Sequence, residues 1–232
     1  MSYAFIDSSS LTSIANEIRR KLQSTDTMTP AQMAINIASI DTSGDVDYLA
    51  LLESNSLITY ESSDILRIGR NLFDNATALT SISVPNCTLI DQYAFTGCTG
   101  LESIYAPLVA TLSGGNIFYG CSSLEEAKFP LITTNLGSNC FSGCSSLITV
   151  DVGSAFRINS YAFADCTSLV NLIIRRTAKC DLQNVNAFSG CGTNINVYVP
   201  TALKSTYSSD SVWSAVTGAT LTFVDLEGSV FE

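Results

Sequence analysis

The sequence predicts an α/β, strand-rich repeat solenoid of about six units of 22–25 residues, with a helical hairpin before it and a helix–strand cap after it. Three observations carry that expectation. Phenylalanine recurs at Phe73, Phe95, Phe118, Phe141, Phe163 and Phe188, with spacings of 22, 23, 23, 22 and 25. Five of these open the same word, Phe-x-x-Cys, ending at Cys98, Cys121, Cys144, Cys166 and Cys191. A leucine follows four of those cysteines three residues on, at Leu101, Leu124, Leu147 and Leu169, and Leu79 holds the place in the first unit.

The N-terminal segment, 1–47, is a different piece from the repeats that follow. Ser10 is placed to cap a helix whose Leu11, Ile14, Ala15, Ile18 and Leu22 form one apolar stripe. Thr29-Pro30 with Gln32 reads as a capping box with proline at the first helical position. Met33, Ile37 and Ile40 give that second helix its apolar face, and Asp41 to Asp47 is a polar linker. Two helices of about three turns cannot bury a core alone, so they must dock on something. Leu11, Ile14, Ile18, Met33 and Ile37 are the candidate attachment residues.

Residues 48–200 form the solenoid. Each repeat leucine begins a Leu-x-x-apolar-x-apolar stretch: Leu79-Ile82-Val84, Leu101-Ile104-Ala106, Leu124-Ala127-Phe129, Leu147-Val150-Val152 and Leu169-Leu172-Ile174, with Ile195-Val197-Val199 last. Alternation with period two marks a strand with one buried face. Pro85, Pro107, Pro130 and Pro200 stop those strands, while Gly153 and Arg175 stand where two other units want proline. A second apolar column lies near each phenylalanine, at Ile68, Ile90, Leu112, Leu136, Ile158 and Leu182. One unit is therefore strand, turn, short extended piece and a tight helical turn around Phe-x-x-Cys. No unit of about 23 residues buries its own apolar face, but stacked units do. The last spacing is stretched, which puts extra residues near Arg175 to Asp181. The cap, 201–232, reads as a helix from about 201 to 216 and a closing strand near 219–224, with Trp213 over the open end of the core.

The units Tyr-Ala-Phe-Thr-Gly-Cys-Thr-Gly-Leu-Glu-Ser-Ile (93–104) and Tyr-Ala-Phe-Ala-Asp-Cys-Thr-Ser-Leu-Val-Asn-Leu (161–172) resemble the BspA-type leucine-rich repeat family, and the likeness spans about 57 to 200. Ala76 departs from it, standing where cysteine is expected. The resemblance implies a leucine-rich-repeat solenoid and the role usual for such repeats, bacterial surface adhesion. Residues 11–40 resemble an N-terminal module of tail and minor structural proteins of gut phages and prophages, and the stretch from Val197 to Trp213 resembles the ending of repeat proteins in that group.

Composition narrows the chemistry. There is no histidine, which removes Ser-His-Asp and Cys-His nucleophile pairs and every His-containing zinc site. The formal charge of -10 repels phosphate backbones, so nucleic acid is not an expected partner. No apolar run approaches the ~20 residues of a membrane helix, and Met1 to Ser13 does not read as a Sec signal peptide. The eight cysteines read as buried thiols acting as small hydrophobes, since stacked side chains point the same way and neither zinc spacing nor a C-x-x-C word occurs. Glu125-Glu126 lacks a partner carboxylate, and Gly114-Gly115 reads as a repeat turn. Arg175, Arg176 and Lys179 form the basic cluster of the solenoid, read as an exposed loop with an anion or partner contact as the alternative. No catalytic, cofactor or metal residue is expected.

Recognition falls to the outward strand positions. Tyr105, Glu126, Lys128, Asp151, Asn171, Ile173 and Tyr198 are the candidates, set among Ser81, Ser83, Ser103, Thr149 and Asn196. Aromatic side chains among small polar ones suit protein or glycan contact. The sequence reading is a non-enzymatic component of a phage or phage-tail-like particle. Its N-terminal helices would join other particle proteins or a second copy, and its solenoid would meet a host surface protein or glycan. A bacterial surface adhesin and an intracellular interaction scaffold are the alternatives.

Overall fold

A computed structural model describes residues 57–192 and 194–231 of the 232. The expected helices around Leu11, Ile14, Ile18, Met33 and Ile37 lie outside the described residues. Among the described residues there are thirteen strands: β1 (Thr59–Glu61), β2 (Arg67–Ile68), β3 (Ser81–Ser83), β4 (Leu89–Asp91), β5 (Ser103–Tyr105), β6 (Thr111–Ser113), β7 (Glu126–Lys128), β8 (Thr149–Asp151), β9 (Arg157–Ile158), β10 (Asn171–Ile173), β11 (Asp181–Leu182), β12 (Asn194–Val199) and β13 (Thr220–Asp225). Eight of them form one sheet in the order β1-β3-β5-β7-β8-β10-β12-β13, so the chain makes about seven turns of a coil. Every pairing is parallel, as it must be when each strand returns one coil later on the same side.

The second apolar column forms a narrow sheet on another side, β2-β4-β6, continued by β9-β11. Between them only an isolated Leu136↔Ile158 bridge survives. The cause is local. Ile132 and Leu136 are four apart, whereas Cys87–Ile90, Val109–Leu112 and Ala155–Ile158 are three apart. The extra residue breaks the ladder as a bulge does.

The expected helical turn around Phe-x-x-Cys is a 3-10 helix at Val185–Phe188 in the last unit and a run of tight turns in the others, which makes the fold a β-solenoid with little helix among the described residues. From Phe73 to Phe163 the residues two before and two after the phenylalanine take left-handed backbone, as Asn71 and Asn75, Asn116 and Gly120, and Tyr161 and Asp165 show. Alternate N–H groups are then free to donate to the next coil: Phe73 N–H reaches Ala94 O at 2.9 Å and Asn75 N–H reaches Thr96 O at 2.7 Å. A helix would have kept those donors for itself. Gly153, at φ +53°, replaces the strand-ending proline for a steric reason, since a Cβ there would lie 2.6 Å from Pro130 O.

The core is one continuous cluster along the coil axis. Its spine is a stack of near-parallel phenylalanine rings with centroids 5.2 Å apart for Phe73–Phe95, 5.2 Å for Phe95–Phe118, 5.1 Å for Phe118–Phe141, 5.7 Å for Phe141–Phe163 and 5.3 Å for Phe163–Phe188. Tyr60 meets Phe73 edge-on at 5.3 Å at one end, and Trp213 meets Phe188 at 6.3 Å at the other. Trp213 is fully buried and its indole N–H donates to Cys180 O at 3.0 Å, so it closes the core as expected.

The cap helix is shorter than expected. After a 3-10 turn at Thr201–Leu203, α1 runs only from Lys204 to Ser208. The Asp210 carboxylate accepts from the Val212 and Trp213 N–H groups at 2.9 and 3.1 Å, which opens a new turn and ends the helix. That turn swings Trp213 under Phe188.

Candidate functional site

The outer side of the eight-stranded sheet carries two columns of outward residues. One runs Thr59, Ser81, Ser103, Glu126, Thr149, Asn171, Asn196 and Thr222, paired strand to strand. The other contains Glu61, Ser83, Tyr105 and then Lys128, Asp151, Ile173, Tyr198 and Val224. The parallel register brings all seven candidate recognition residues onto this one face.

The face has two unlike halves. Toward the N-terminal end it is open: Tyr105 is 59% exposed, Ser103, Glu126 and Lys128 are exposed, and Ser81 and Ser83 are half-buried. Glu126 and Lys128 pair with each other at 2.8 Å, two residues apart on one strand. Both stay solvated, so the pair presents two opposite charges beside Tyr105 and contributes little to stability.

Toward the C-terminal end two candidates are not surface residues. Asp151 is 4% exposed and Ile173 is 1% exposed, which corrects their reading as free outward positions. The physical reason is a cover. Arg175 Nε meets Asp151 Oδ2 at 2.8 Å, and Arg175 Nη2 donates to Phe231 O at 2.7 Å. Gly153 N–H donates to the other Asp151 oxygen at 2.9 Å, so both carboxylate oxygens are satisfied. The Phe231 ring packs edge-on against Tyr198 at 4.8 Å. Ile173 stands in the register between Asp151 and Tyr198, the residues that meet Arg175 and Phe231. Asn171 and Tyr198 are half-buried, and the Asn171 side chain donates to Thr149 Oγ1 at 3.1 Å.

Two of the three basic side chains of the cluster are ion-paired within the chain and the third stacks on a ring. Arg175 pairs with Asp151, the Arg176 guanidinium lies 4.0 Å over the Phe156 ring, and Lys179 pairs with Asp210. The stretched unit thus serves as a tie between the solenoid and its cap. The Lys179 hydrogen bond holds the Asp210 carboxyl below its ordinary value, and Asp210 in turn raises Lys179.

All eight cysteines are buried and unbridged. They do more than fill space. The Sγ of Cys98, Cys121, Cys144, Cys166 and Cys191 donates to the carbonyl of Phe73, Phe95, Phe118, Phe141 and Phe163 of the preceding coil, at 2.8, 3.1, 3.1, 3.0 and 3.0 Å. The repeat word therefore holds a donor and, one coil earlier, its acceptor. Burial pushes the Cys180 thiol up to about 12 and the Cys191 thiol up to about 11. Cys87, Cys98, Cys140, Cys144 and Cys166 are raised for the same reason. These are not reactive thiols. Among the described residues no group of His, Cys, Asp and Glu is arranged to hold a metal, and no helix is long and apolar enough to cross a membrane.

Gly114-Gly115 is a turn, and its geometry explains both glycines: Gly114 has φ +88°, and a Cβ on Gly115 would fall 2.5 Å from Ser138 O of the neighbouring coil. Glu125 and Glu126 sit at the entrance of β7, and Glu126 pairs with Lys128. The Arg175–Asp151 tie and the overlay by Phe231 were missed by pattern reading. Their one sequence signal was Arg175 itself, standing where another unit has proline.

A six-copy array of this kind has a known counterpart. The BspA type leucine rich repeat region matches residues 66–194 and 153–209 in six copies, and the chain belongs to that family. A leucine-rich repeat protein from Bacteroides ovatus ATCC 8483 matches at 20% identity and a TM-score of 0.40, over 75% of this chain and 64% of that one. A leucine rich cell surface protein from Faecalibacterium prausnitzii A2-165 matches at 16% identity and a TM-score of 0.38, over 75% of this chain and 62% of that one. This chain thus spans less than two thirds of the length of either. No curated protein matches it.

Proposed function

We propose that this chain is a non-enzymatic recognition protein of the bacterial surface, and that it meets a host protein or glycan through the open half of its outer sheet face. The observation that carries this reading is Tyr105, 59% exposed on a parallel sheet, with small hydroxyl side chains on one side and the Glu126–Lys128 pair on the other. A flat, rigid face with one aromatic platform and adaptable polar groups is what glycan and protein recognition uses. Membership of the BspA-type family supports the surface role over that of a particle component.

The particle reading rests on residues 11–40. In it, Leu11, Ile14, Ile18, Met33 and Ile37 attach the chain to other particle proteins or to a second copy. Mass spectrometry of surface-shaved cells and of purified phage particles separates the two locations. The recognition reading is tested by binding to epithelial cells and to a glycan array. Tyr105→Ala and Lys128→Glu should each lower binding at least tenfold while leaving the melting curve in place. Undiminished binding by both variants would refute the assignment of this face.

A further inference from the structure

The covered half of the face is already occupied, and the occupant is part of the same chain. After β13 the backbone turns: Leu226 N–H donates to Val199 O at 2.9 Å, and Ser229 N–H donates to Leu226 O at 3.0 Å, with Gly228 at φ +76° inside the turn. The chain then lies against Tyr198 of β12 and Arg175, two residues past β10. Its anchors there are the Phe231 ring on Tyr198 and the Phe231 carbonyl on Arg175. Little else is buried: Val230 is 93% exposed, and Glu227 and Gly228 are exposed. The segment is a shallow strap rather than a layer of the core.

What lies beneath is built to be covered. Ile173 is an apolar side chain at an outward strand position, and Asp151 is held by the Gly153 N–H and Arg175 Nε while the other arm of that guanidinium points to the strap. At Phe231 the strap offers one aromatic side chain and one main-chain carbonyl. Any extended polypeptide with an aromatic residue offers both. Tyr105 and Lys128 belong to the same outward column as Asp151, Ile173 and Tyr198, so the covered ground continues the open half.

We propose that the outer face of β8, β10 and β12 is a binding site for an extended peptide segment bearing an aromatic residue, and that residues 228–231 are its intramolecular occupant, displaced when a partner's segment binds. The inference rests on the reading of the outer face as the recognition surface. A tethered occupant has an effective concentration in the millimolar range, so it masks weak binding in trans. Lifting it uncovers Ile173, the Tyr198 ring and one arm of Arg175 together.

The test uses the full chain and a fluorescein-labelled peptide, Gly-Ser-Val-Phe-Glu, followed by anisotropy. The Phe231→Ala chain should bind this peptide at least tenfold more tightly than the unaltered chain. The gain should vanish when the peptide's phenylalanine is alanine, and when Arg175→Ala is added to Phe231→Ala. Equal binding by the altered and unaltered chains, or binding indifferent to the peptide's phenylalanine, overturns the proposal. So does exposure of the buried thiols in Phe231→Ala, which would make the strap part of the core. Exchange of tails between two copies of the unaltered chain, seen as dimers in sedimentation velocity, overturns it in favour of a second copy as occupant. The titration needs no receptor, so it succeeds or fails independently of the Tyr105→Ala experiment.

Discussion

Replacing Phe118 by alanine takes one ring out of the middle of the spine. That ring is fully buried and meets three others: Phe95 at 5.2 Å, Phe141 at 5.1 Å and Phe129 at 5.7 Å. Removing a buried phenylalanine costs roughly 3–5 kcal/mol, more where the surroundings cannot collapse into the space. Here they cannot, because the coils above and below are pinned by backbone hydrogen bonds such as Phe118 N–H to Cys140 O at 2.8 Å. Phe118→Ala should therefore fall at the upper end. Phe73 tests the dependence on neighbours. It lies in the first unit, but Tyr60 closes the spine beyond it, so it has two ring partners, one fewer than Phe118. At roughly 0.5–1.5 kcal/mol per ring pair, Phe73→Ala should cost less than Phe118→Ala by about one such increment. Urea unfolding followed by far-ultraviolet circular dichroism and by Trp213 fluorescence reads the difference, and the two probes should coincide if the coil unfolds as a unit. A loss for Phe73→Ala equal to or above that for Phe118→Ala, or a loss below about 2 kcal/mol for Phe118→Ala, would refute the stacked-spine account.

Two further outcomes follow from the titrating groups. The unfolded chain ionises its thiols near 9.0, while burial keeps those of Cys87, Cys98, Cys140, Cys144, Cys166, Cys180 and Cys191 protonated in the fold. Their contribution is whole below about pH 9 and is lost as pH rises above it, on the order of 1 kcal/mol per thiol by pH 10, so the melting temperature should drop steeply between about pH 9 and 10. A flat profile there would count against the buried ladder, as would fewer than eight free thiols after denaturation without reductant. At the acid end, the Asp210 carboxyl is held below 3.8, chiefly by the Lys179 hydrogen bond. The stability it supplies, about 1 kcal/mol or less for a partly solvated pair, is present above pH 4 and is lost as pH falls through the lowered value. A Trp213 fluorescence change below pH 4 that persists unaltered in Asp210→Asn would assign the change to another group.

The repeat word was enough to determine the coil, and there is a physical reason. When every unit is alike, local period and global stacking are the same fact, so Phe-x-x-Cys, Leu79 and its successors, and the strand-ending prolines specify parallel strands, the phenylalanine spine and the direction of each side chain. Even Trp213 as the end cover was legible, because an apolar stack must be closed. The turn chemistry was less so, since a helix and a chain of tight turns share the same short apolar spacing. Only the left-handed residues on either side of the phenylalanines from Phe73 to Phe163 distinguish them.

Other features depended on residues far apart in the chain. The thiol hydrogen bond joins Cys121 to Phe95, across a coil boundary that no unit contains by itself. Period-two alternation told which strand residues face outward, and it was right for Tyr105, Glu126 and Lys128. It said nothing about what lies on top of them. Ile173 and Phe231 are 58 positions apart, and the turn at Leu226 to Ser229, with the two arms of Arg175, is what lays the end of the described chain over Asp151, Ile173 and Tyr198. Direction is a property of the strand, while exposure is a property of the assembled fold, and that difference split one predicted face into an open half and a covered one.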